Sequence, residues 1–476
     1  PKDAQAPISA WADDAALRFR YGAAKDATAK YLQAHPPETP AYDVVPRPSG
    51  VRPAGVARKA LDKLLDVAWG GLGVSTDLIY RFVMAPMEAL SRKLMPVQGF
   101  PANKDGSATR VAIIGGGCSG LSAAWTLHRT EGFEFTIYES APMVGGHSFT
   151  YNYTGEDGNT AAIDMGFIFG HHRSYLNMLQ LMAHTDTKVV DTELSLNVDI
   201  NGKTFSTDAN LCGATEDPVM EPGLLAECER FHALAERMVE NSAFNIVPFG
   251  LVLAQYGFSD DWKELVMTPT LITLFISPNG LYTMSARFMF NMFAGKNKFV
   301  DLRSAWKVLT VHNGTFSLWA KICGEFADRV RVGTPVRELH RLTGTDGQNH
   351  VMVVTDGDRQ VYDHVLIACG AKVANSIVQG KSYLEKFVLG SFEYEGERVV
   401  LHTDSSFLPE KNIRNFNYKV RDGFSEPELT GMMTQASGQE VPHPMPMLTM
   451  NPMREPKEGS IMKERFCAVH QQVRSL

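Results

Sequence analysis

An α/β fold is predicted for this chain by three observations. A short apolar strand, Val111–Ile114, runs directly into a glycine-rich turn and an Ala-rich helix. A second strand, Glu134–Tyr138, follows that helix and ends at an acid, Glu139. After a long stretch that reads as helical, strands return at Val330–Arg337, His350–Thr355 and Val361–Ala368, parted by turns at Thr345–Gly347 and Asp356–Asp358. Strand, turn and helix in that succession build a parallel sheet with helices on its faces.

The chain has 476 residues, enough for two or three domains at roughly 100–200 residues each. Apolar residues make up 44% and charged residues 21%, which allows a sizeable core. The net charge of −7 argues against nucleic acid as a partner, because such a partner needs a basic face. Cys118, Cys212, Cys228, Cys323, Cys369 and Cys467 form no CxxC pair and match no zinc spacing, so no metal is expected. Scattered thiols in a long chain point to an intracellular location. The stretch from Ala68 to Leu90 is interrupted by Asp77, Arg81 and Pro86, so no membrane-spanning helix is expected. The chain starts at Pro1, which suggests a removed leader or a longer precursor, and with it a mitochondrial or plastid location.

Residues 1–107 read as an N-terminal arm. Trp11–Tyr21, Ala23–Leu32, Ala57–Val67 and Thr76–Leu94 are helix-like, whereas prolines recur between Pro36 and Pro53 and a second linker runs over Pro96–Thr109. The arm shows no core of its own. It is expected to pack on the main body, on a protein partner or on a membrane surface.

The sharpest motif is Gly115-Gly-Gly117-Cys118-Ser119-Gly120 between the first strand and its helix. Gly115 permits the tight turn, Gly117 lets backbone approach a diphosphate, and Gly120 lets helix and strand pack closely. The helix start offers free N–H groups and the positive end of its dipole to phosphate. Glu139, with Ser140 beside it, lies 19 residues beyond Gly120, where a carboxylate accepts from a ribose diol. Gly145-Gly146 then allows a second close backbone approach. A dinucleotide is the expected ligand. The doublet after Glu139 and the late return of strands favour FAD over a nicotinamide cofactor.

With these motifs the chain resembles the flavin-containing amine oxidase-like superfamily. The likeness is nearest to a branch of FAD-binding proteins associated with cyclopropane fatty acyl synthases, and more distant to polyunsaturated fatty acid isomerases. It rests on Gly145-Gly146-His147, Asp164-Met-Gly166-Phe167, His402-Thr-Asp-Ser-Ser-Phe-Leu-Pro409, Trp306, His312-Asn-Gly-Thr-Phe316, Thr334-Pro-Val-Arg-Glu338 and Asp363-His-Val-Leu-Ile-Ala-Cys369. The superfamily commonly has arginine after the doublet, where this chain has His147. The resemblance implies cofactor contacts at His147, Gly166, Phe167, Val336 and Ala368. It also implies a further strand and helix beyond Leu476, so the C-terminal flavin-binding part is expected to be truncated here.

Met267–Ala294 is rich in Met, Phe and Leu, suited to lining an apolar or acyl-chain site, and equally suited to plain helix packing. His171 and His172 follow the Asp164–Gly170 segment and are the candidates for proton transfer, against an ordinary hydrogen-bonded pair. No GxSxG or HExxH signature is present. The expected architecture is a Rossmann-like FAD-binding domain with an inserted substrate domain and a helical N-terminal extension. The cofactor domain takes residues 108–170 and 305–375, a mostly helical cap takes 171–304, and 376–476 continues the substrate domain. Two functions follow. One is an FAD-dependent oxidoreductase or double-bond isomerase that moves hydride between an apolar, fatty acyl substrate and flavin N5. The other is an accessory or structural subunit of a larger, organellar membrane complex with degenerate or no catalysis.

Overall fold

A computed structural model describes residues 106–172, 174–207, 221–241, 244, 247–274, 281–295, 298–344, 349–421, 427–434 and 441–473. The helices and linkers expected over 1–105, the turn at Thr345–Gly347 and Cys212 lie outside the described residues.

β1 (Thr109–Ile114) enters the glycine turn, α1 (Cys118–His128) leaves it, and β2 (Phe133–Tyr138) returns parallel to β1. Val111, Ile113 and Ile114 are β-branched and suit a strand covered on both faces, and Val111, Ala112 and Ile113 are fully buried. An antiparallel pair follows, β3 (Thr150–Thr154) and β4 (Thr160–Asp164). α2 (Leu176–His184) leads to β5 (Val189–Leu194), β6 (Leu196–Ile200) and β7 (Lys203–Ser206). The helical segment comprises α3 (Pro222–Met238), α4 (Phe249–Gln255), α5 (Asp260–Trp262), α6 (Thr268–Thr273) and α7 (Ala286–Phe293), with a wide turn of π type over Lys263–Met267.

The chain then returns through β8 (Trp306–Val311), α8 (Phe316–Gly324) and β9 (Val330–Arg331). β10 (Val336–Thr343), β11 (Asn349–Thr355) and β12 (Arg359–Tyr362) form an antiparallel ribbon, and β13 (His364–Ile367) rejoins β1 in parallel. α9 (Ala371–Ile377) and α10 (Tyr383–Gly390) precede β14 (Phe392–His402), β15 (Phe416–Val420), β16 (Glu428–Gly431), β17 (Met447–Met450) and β18 (Ile461–Val473).

Two sheets organise the described chain. The parallel sheet has the order β13-β1-β2-β9, and the seven-stranded sheet has the order β18-β14-β17-β16-β15-β6-β7. One apolar cluster lies between the parallel sheet, α1 and α8, where Ile113, Leu121, Leu318 and Trp319 meet. A larger one joins the seven-stranded sheet (Val399, Leu401, Phe416, Leu448) to the helical segment. Phe231 on α3 is its hub, ringed by Phe249, Phe258, Trp262, Phe290 and Phe293 at centroid distances of 5.0–6.0 Å. Burying a side chain of that size stabilises the fold by roughly 1.5–3 kcal/mol.

The mostly helical stretch 171–304 also holds β5, β6 and β7, and two other expectations need correction. β6 and β7 are joined by Asn201-Gly202, both at positive φ (50° and 89°), which is a hairpin turn of the favoured chemistry. Val330–Arg337 is two strands: β9 belongs to the parallel sheet and β10 to the ribbon. Val361–Ala368 is also divided, at Asp363, where the chain leaves the ribbon for the parallel sheet. There Asp363 and Arg110 exchange hydrogen bonds, Arg110 N to Asp363 Oδ2 at 2.8 Å and Asp363 N to Arg110 O at 3.0 Å.

Candidate functional site

The three motif glycines have different duties. Gly115 has φ +109°, and a Cβ there would lie 2.8 Å from the carbonyl oxygen of Ala368. A Cβ at Gly120 would overlap the carbonyl oxygen of Gly115. Gly117 is different, since an added Cβ would meet only the Cα of Gly146, at 3.8 Å. Gly115 and Gly120 are therefore glycines for the protein's own packing, and Gly117 is open on its outer side. Gly117 also caps α1 without any side-chain hydrogen bond, so no capping side chain occupies the first N–H groups of the helix.

The second glycine turn docks on the first. Gly145 N donates to Gly116 O at 2.8 Å, and Gly145 and Gly146 both have positive φ, 111° and 59°. Two bare Cα atoms, those of Gly117 and Gly146, thus face each other beside an uncapped helix start. Cys118, Ser119, Gly146 and His147 are exposed around this hollow. The residues fit a diphosphate: they present backbone N–H groups and leave the room that side chains would fill.

Glu139 is fixed by the same loops. Its Oε2 accepts from Gly116 N at 2.7 Å, and its Oε1 accepts from Ala141 N at 2.7 Å and from Ser140 Oγ at 3.2 Å. A carboxylate has about four acceptor sites, so capacity remains for a ribose hydroxyl. Gly333 N donates to Ala141 O and Thr334 N to Glu139 O, both at 2.8 Å, which carries the chain to Val336 beside the end of β2. Ala368 N donates to Ile114 O at 2.8 Å and lies against Gly115.

A buried latch holds the second turn in place. Asp164 accepts from Thr150 Oγ1 at 2.6 Å, from Thr315 N at 2.9 Å and from Thr315 Oγ1 at 2.9 Å. Burial pushes its carboxyl up to about 7 despite these donors. Trp319 Nε1 donates to Ser148 Oγ at 2.9 Å. Gly166 packs where a Cβ would overlap the carbonyl oxygen of His147, and Phe167 N donates to that oxygen at 3.0 Å.

The family model for flavin containing amine oxidoreductases matches residues 118–392, more than half of the chain. The chain belongs to this family. Its cofactor is therefore FAD, and its class is that of amine oxidase-like oxidoreductases. A carotenoid phi-ring synthase of Streptomyces griseus is 33% identical over 93 residues, a match spanning 20% of this chain and 18% of that protein's length. Among solved structures, the CLA-producing fatty acid isomerase from P. acnes is similar at TM-score 0.53 and 17% identity, over 77% of this chain and 88% of that one. Cyclohexylamine oxidase from Brevibacterium oxydans IH-35A is similar at TM-score 0.52 and 14% identity, over 72% and 74%. At such identities the likeness is one of fold.

In this flavin amine oxidoreductase, the loops that carry Gly115, Gly117, Cys118, Ser119, Gly120, Glu139, Ser140, Gly145, Gly146, His147, Gly166, Phe167 and Ala368 interlock through contacts and hydrogen bonds, with Val336 following the segment bonded to Glu139. His171 and His172 follow the Asp164–Gly170 segment and have partners of their own. His172 Nε2 lies 2.6 Å from Asp191 Oδ1 on β5, and the His171 ring lies 5.7 Å from that of Phe299. The described part of Met267–Ala294 goes largely into the core: Leu271, Ala286, Met289, Phe290 and Phe293 are fully buried. Cys118, Cys228, Cys323 and Cys369 are free thiols. Among the described residues no group of acids, histidines and cysteines could hold a metal, and no helix is long and apolar enough to cross a membrane.

Sequence reasoning missed two features. Gly116 is the donor that orients Glu139, but a backbone N–H leaves no trace in residue type. Asp164 was noticed only as part of a motif. Its partners Thr150 and Thr315 lie 14 and 151 residues away, and no local spacing reveals the second.

Proposed function

We propose that this protein is an FAD-dependent oxidoreductase or double-bond isomerase that acts on an apolar, fatty acyl substrate. The observation that carries this reading is the apolar ground next to the cofactor hollow. Phe149, Tyr151 and Tyr153 follow the second glycine turn and pack, half-buried, against the largest apolar cluster, and Phe169, Leu274, Met284 and Phe299 border the same cluster. Aromatic, Leu and Met side chains of this kind accept a long hydrocarbon with little demand on its shape. Two relatives carry names that speak of long apolar molecules, a fatty acid and a carotenoid.

Bound FAD would supply the hydride acceptor. The chain's own residues do the rest. Gly117, Gly146 and the start of α1 hold the diphosphate, and Glu139 holds the ribose. Asp164 and Thr315 keep the second turn in register, and the aromatic border excludes water from the reacting carbon. An oxidase would pass the electrons on to a second acceptor such as dioxygen. An isomerase would return the hydride to another carbon and need no net oxidant.

The test is anaerobic addition of linoleate to the FAD-loaded protein. Bleaching of the flavin bands, or recovery of a fatty acid with displaced double bonds by gas chromatography and mass spectrometry, is the expected result. A flavin that is bleached by primary amines while polyunsaturated fatty acids leave both spectrum and product unchanged overturns the acyl assignment.

A further inference from the structure

The edge strand of the seven-stranded sheet, β18, carries two cations on the face of Val399 and Leu401: Arg465, half-buried, and Lys463, exposed. In the β14–β18 pairing, Val399 faces Arg465 and Leu401 faces Lys463. Directly opposed residues share a face of the sheet, and Val399 and Leu401 are core residues, 3% and 0% exposed. Arg465 lies with its guanidinium carbon 4.2 Å from the ring centroid of Phe149, and Lys463 Nζ is 5.9 Å from the same centroid. Arg465 Nη1 is shielded from solvent and makes no hydrogen bond among the described residues. On the other face, Arg398 is saturated by Glu455 and Glu464, with contacts of 2.7–2.8 Å. Arg465 is half-buried, and a donor nitrogen of it shut off from solvent without an acceptor is costly, a cost that a ligand oxygen would remove.

Phe149 tells which ligand. It lies three residues beyond Gly146. Its neighbours Ser148 and Thr150 both turn toward α8, where Trp319 Nε1 donates to Ser148 Oγ and Phe316 N to Thr150 Oγ1. Phe149 therefore points the other way, and Arg465 stacks on it, three residues along the chain from Gly146. The turn itself carries His147, an imidazole rather than a permanent cation.

We propose that Arg465 is a cofactor-binding residue whose guanidinium, seated on Phe149, donates to the phosphate-bearing part of bound FAD at the Gly145-Gly146 turn. The planar fork suits phosphate oxygens, and stacking on the ring holds it in place before the cofactor arrives. Lys463 adds positive potential behind it. This inference rests on the family's cofactor and not on the fatty acyl substrate, so failure of the linoleate experiment leaves it standing.

The experiment is titration of the full-length apoprotein with FAD and, separately, with riboflavin, read by quenching of flavin fluorescence. Arg465→Met keeps the packing volume and removes the charge. It is expected to weaken FAD about tenfold or more, to flatten the salt dependence of FAD binding, and to leave riboflavin affinity within twofold. Arg465→Lys keeps the charge without the fork and is expected to fall between. FAD affinity unchanged in Arg465→Met overturns the proposal, and so does an equal loss for FAD and riboflavin, which would place the guanidinium on the ring system. Should Arg465→Met not fold, Phe149→Leu gives the same reading, because it unseats the guanidinium and should lower FAD affinity while sparing riboflavin.

Discussion

The cofactor hollow and the seven-stranded sheet are built on opposite principles. The hollow is made by omitting side chains. Gly117 and Gly146 present bare Cα atoms, and most of its polar groups are backbone N–H and C=O. The sheet is made by filling space, with Val399, Leu401, Phe416, Leu448 and Met450 packed into one cluster with the helical segment. Apart from Arg465, polar groups at its buried end are closed by partners. His402 is fully buried, with Nε2 2.7 Å from Thr449 Oγ1 and Nδ1 accepting from Asp404 N at 3.1 Å. Asp404 in turn accepts from Ser406 N and Lys457 N, both at 3.1 Å, and from Arg454 at 3.2 Å. A site that must admit a ligand leaves donors open, whereas a region that only supports closes them.

The contrast is broken most severely at Gly120, where the hollow depends on the tightest packing of helix on strand. A Cβ there would overlap the carbonyl oxygen of Gly115, so α1 could not lie on β1. Gly120→Val is expected to abolish both folding of the parallel-sheet region and FAD content. Far-UV circular dichroism and flavin absorbance of the purified variant check this. Normal flavin content would show that helix and strand tolerate wider spacing.

The next effect separates the two regions by the sign of their pH response. Burial depresses His402 from 6.5 to about 4, so the folded state resists its protonation. Its stabilising contribution is full above pH 6.5 and is lost as pH falls toward 4. At ~1.4 kcal/mol per unit, this amounts to about 3 kcal/mol. Asp164 beside the hollow runs the other way. Its carboxyl is raised by burial from 3.8 to about 7, so its contribution is full below pH 3.8 and declines as pH rises to 7. His402→Gln should flatten the acid-side loss, and Asp164→Asn the loss on the neutral side. Thermal midpoints measured from pH 4 to 7.5 check both. Parallel curves for wild type and either variant would remove that residue from the account.

The same division decides what was legible in the sequence. The hollow is local. Strand, turn, helix and acid lie between Val111 and Glu139, and each glycine has a backbone reason that single-sequence reading can supply. The larger sheet is not local. β6 pairs with β15 in the register Leu196–Phe416, and β5 with β8 in the register Val189–Val311, so neither partner is visible from the other's neighbourhood. Asn201-Gly202 is a hairpin signal of two residues, outweighed in the sequence by the helix-like composition around it. Arg465 could not have been found at all, since its oddity is that it faces Val399 and Phe149 from far along the chain.

The smallest effect on the fold is expected at Gly117, and for that reason it is the sharpest probe of the hollow. An added Cβ would meet only the Cα of Gly146, at 3.8 Å, which is ordinary van der Waals contact. Gly117 has φ −80° and ψ −173°, a conformation that alanine also adopts. Gly117→Ala should therefore leave the stability of the apoprotein within the roughly 0.5 kcal/mol typical of benign substitutions, with little shift in its thermal midpoint. Its methyl group would still stand in the space assigned to the diphosphate. FAD affinity is expected to fall by about tenfold, a loss of ~1.4 kcal/mol, and Gly117→Val should remove binding altogether. Calorimetry of the apoprotein and fluorescence titration with FAD separate the two quantities. If alanine lowered the thermal midpoint and spared FAD, the open side of Gly117 would be a packing surface after all, and the difference between Gly117 and Gly120 would vanish.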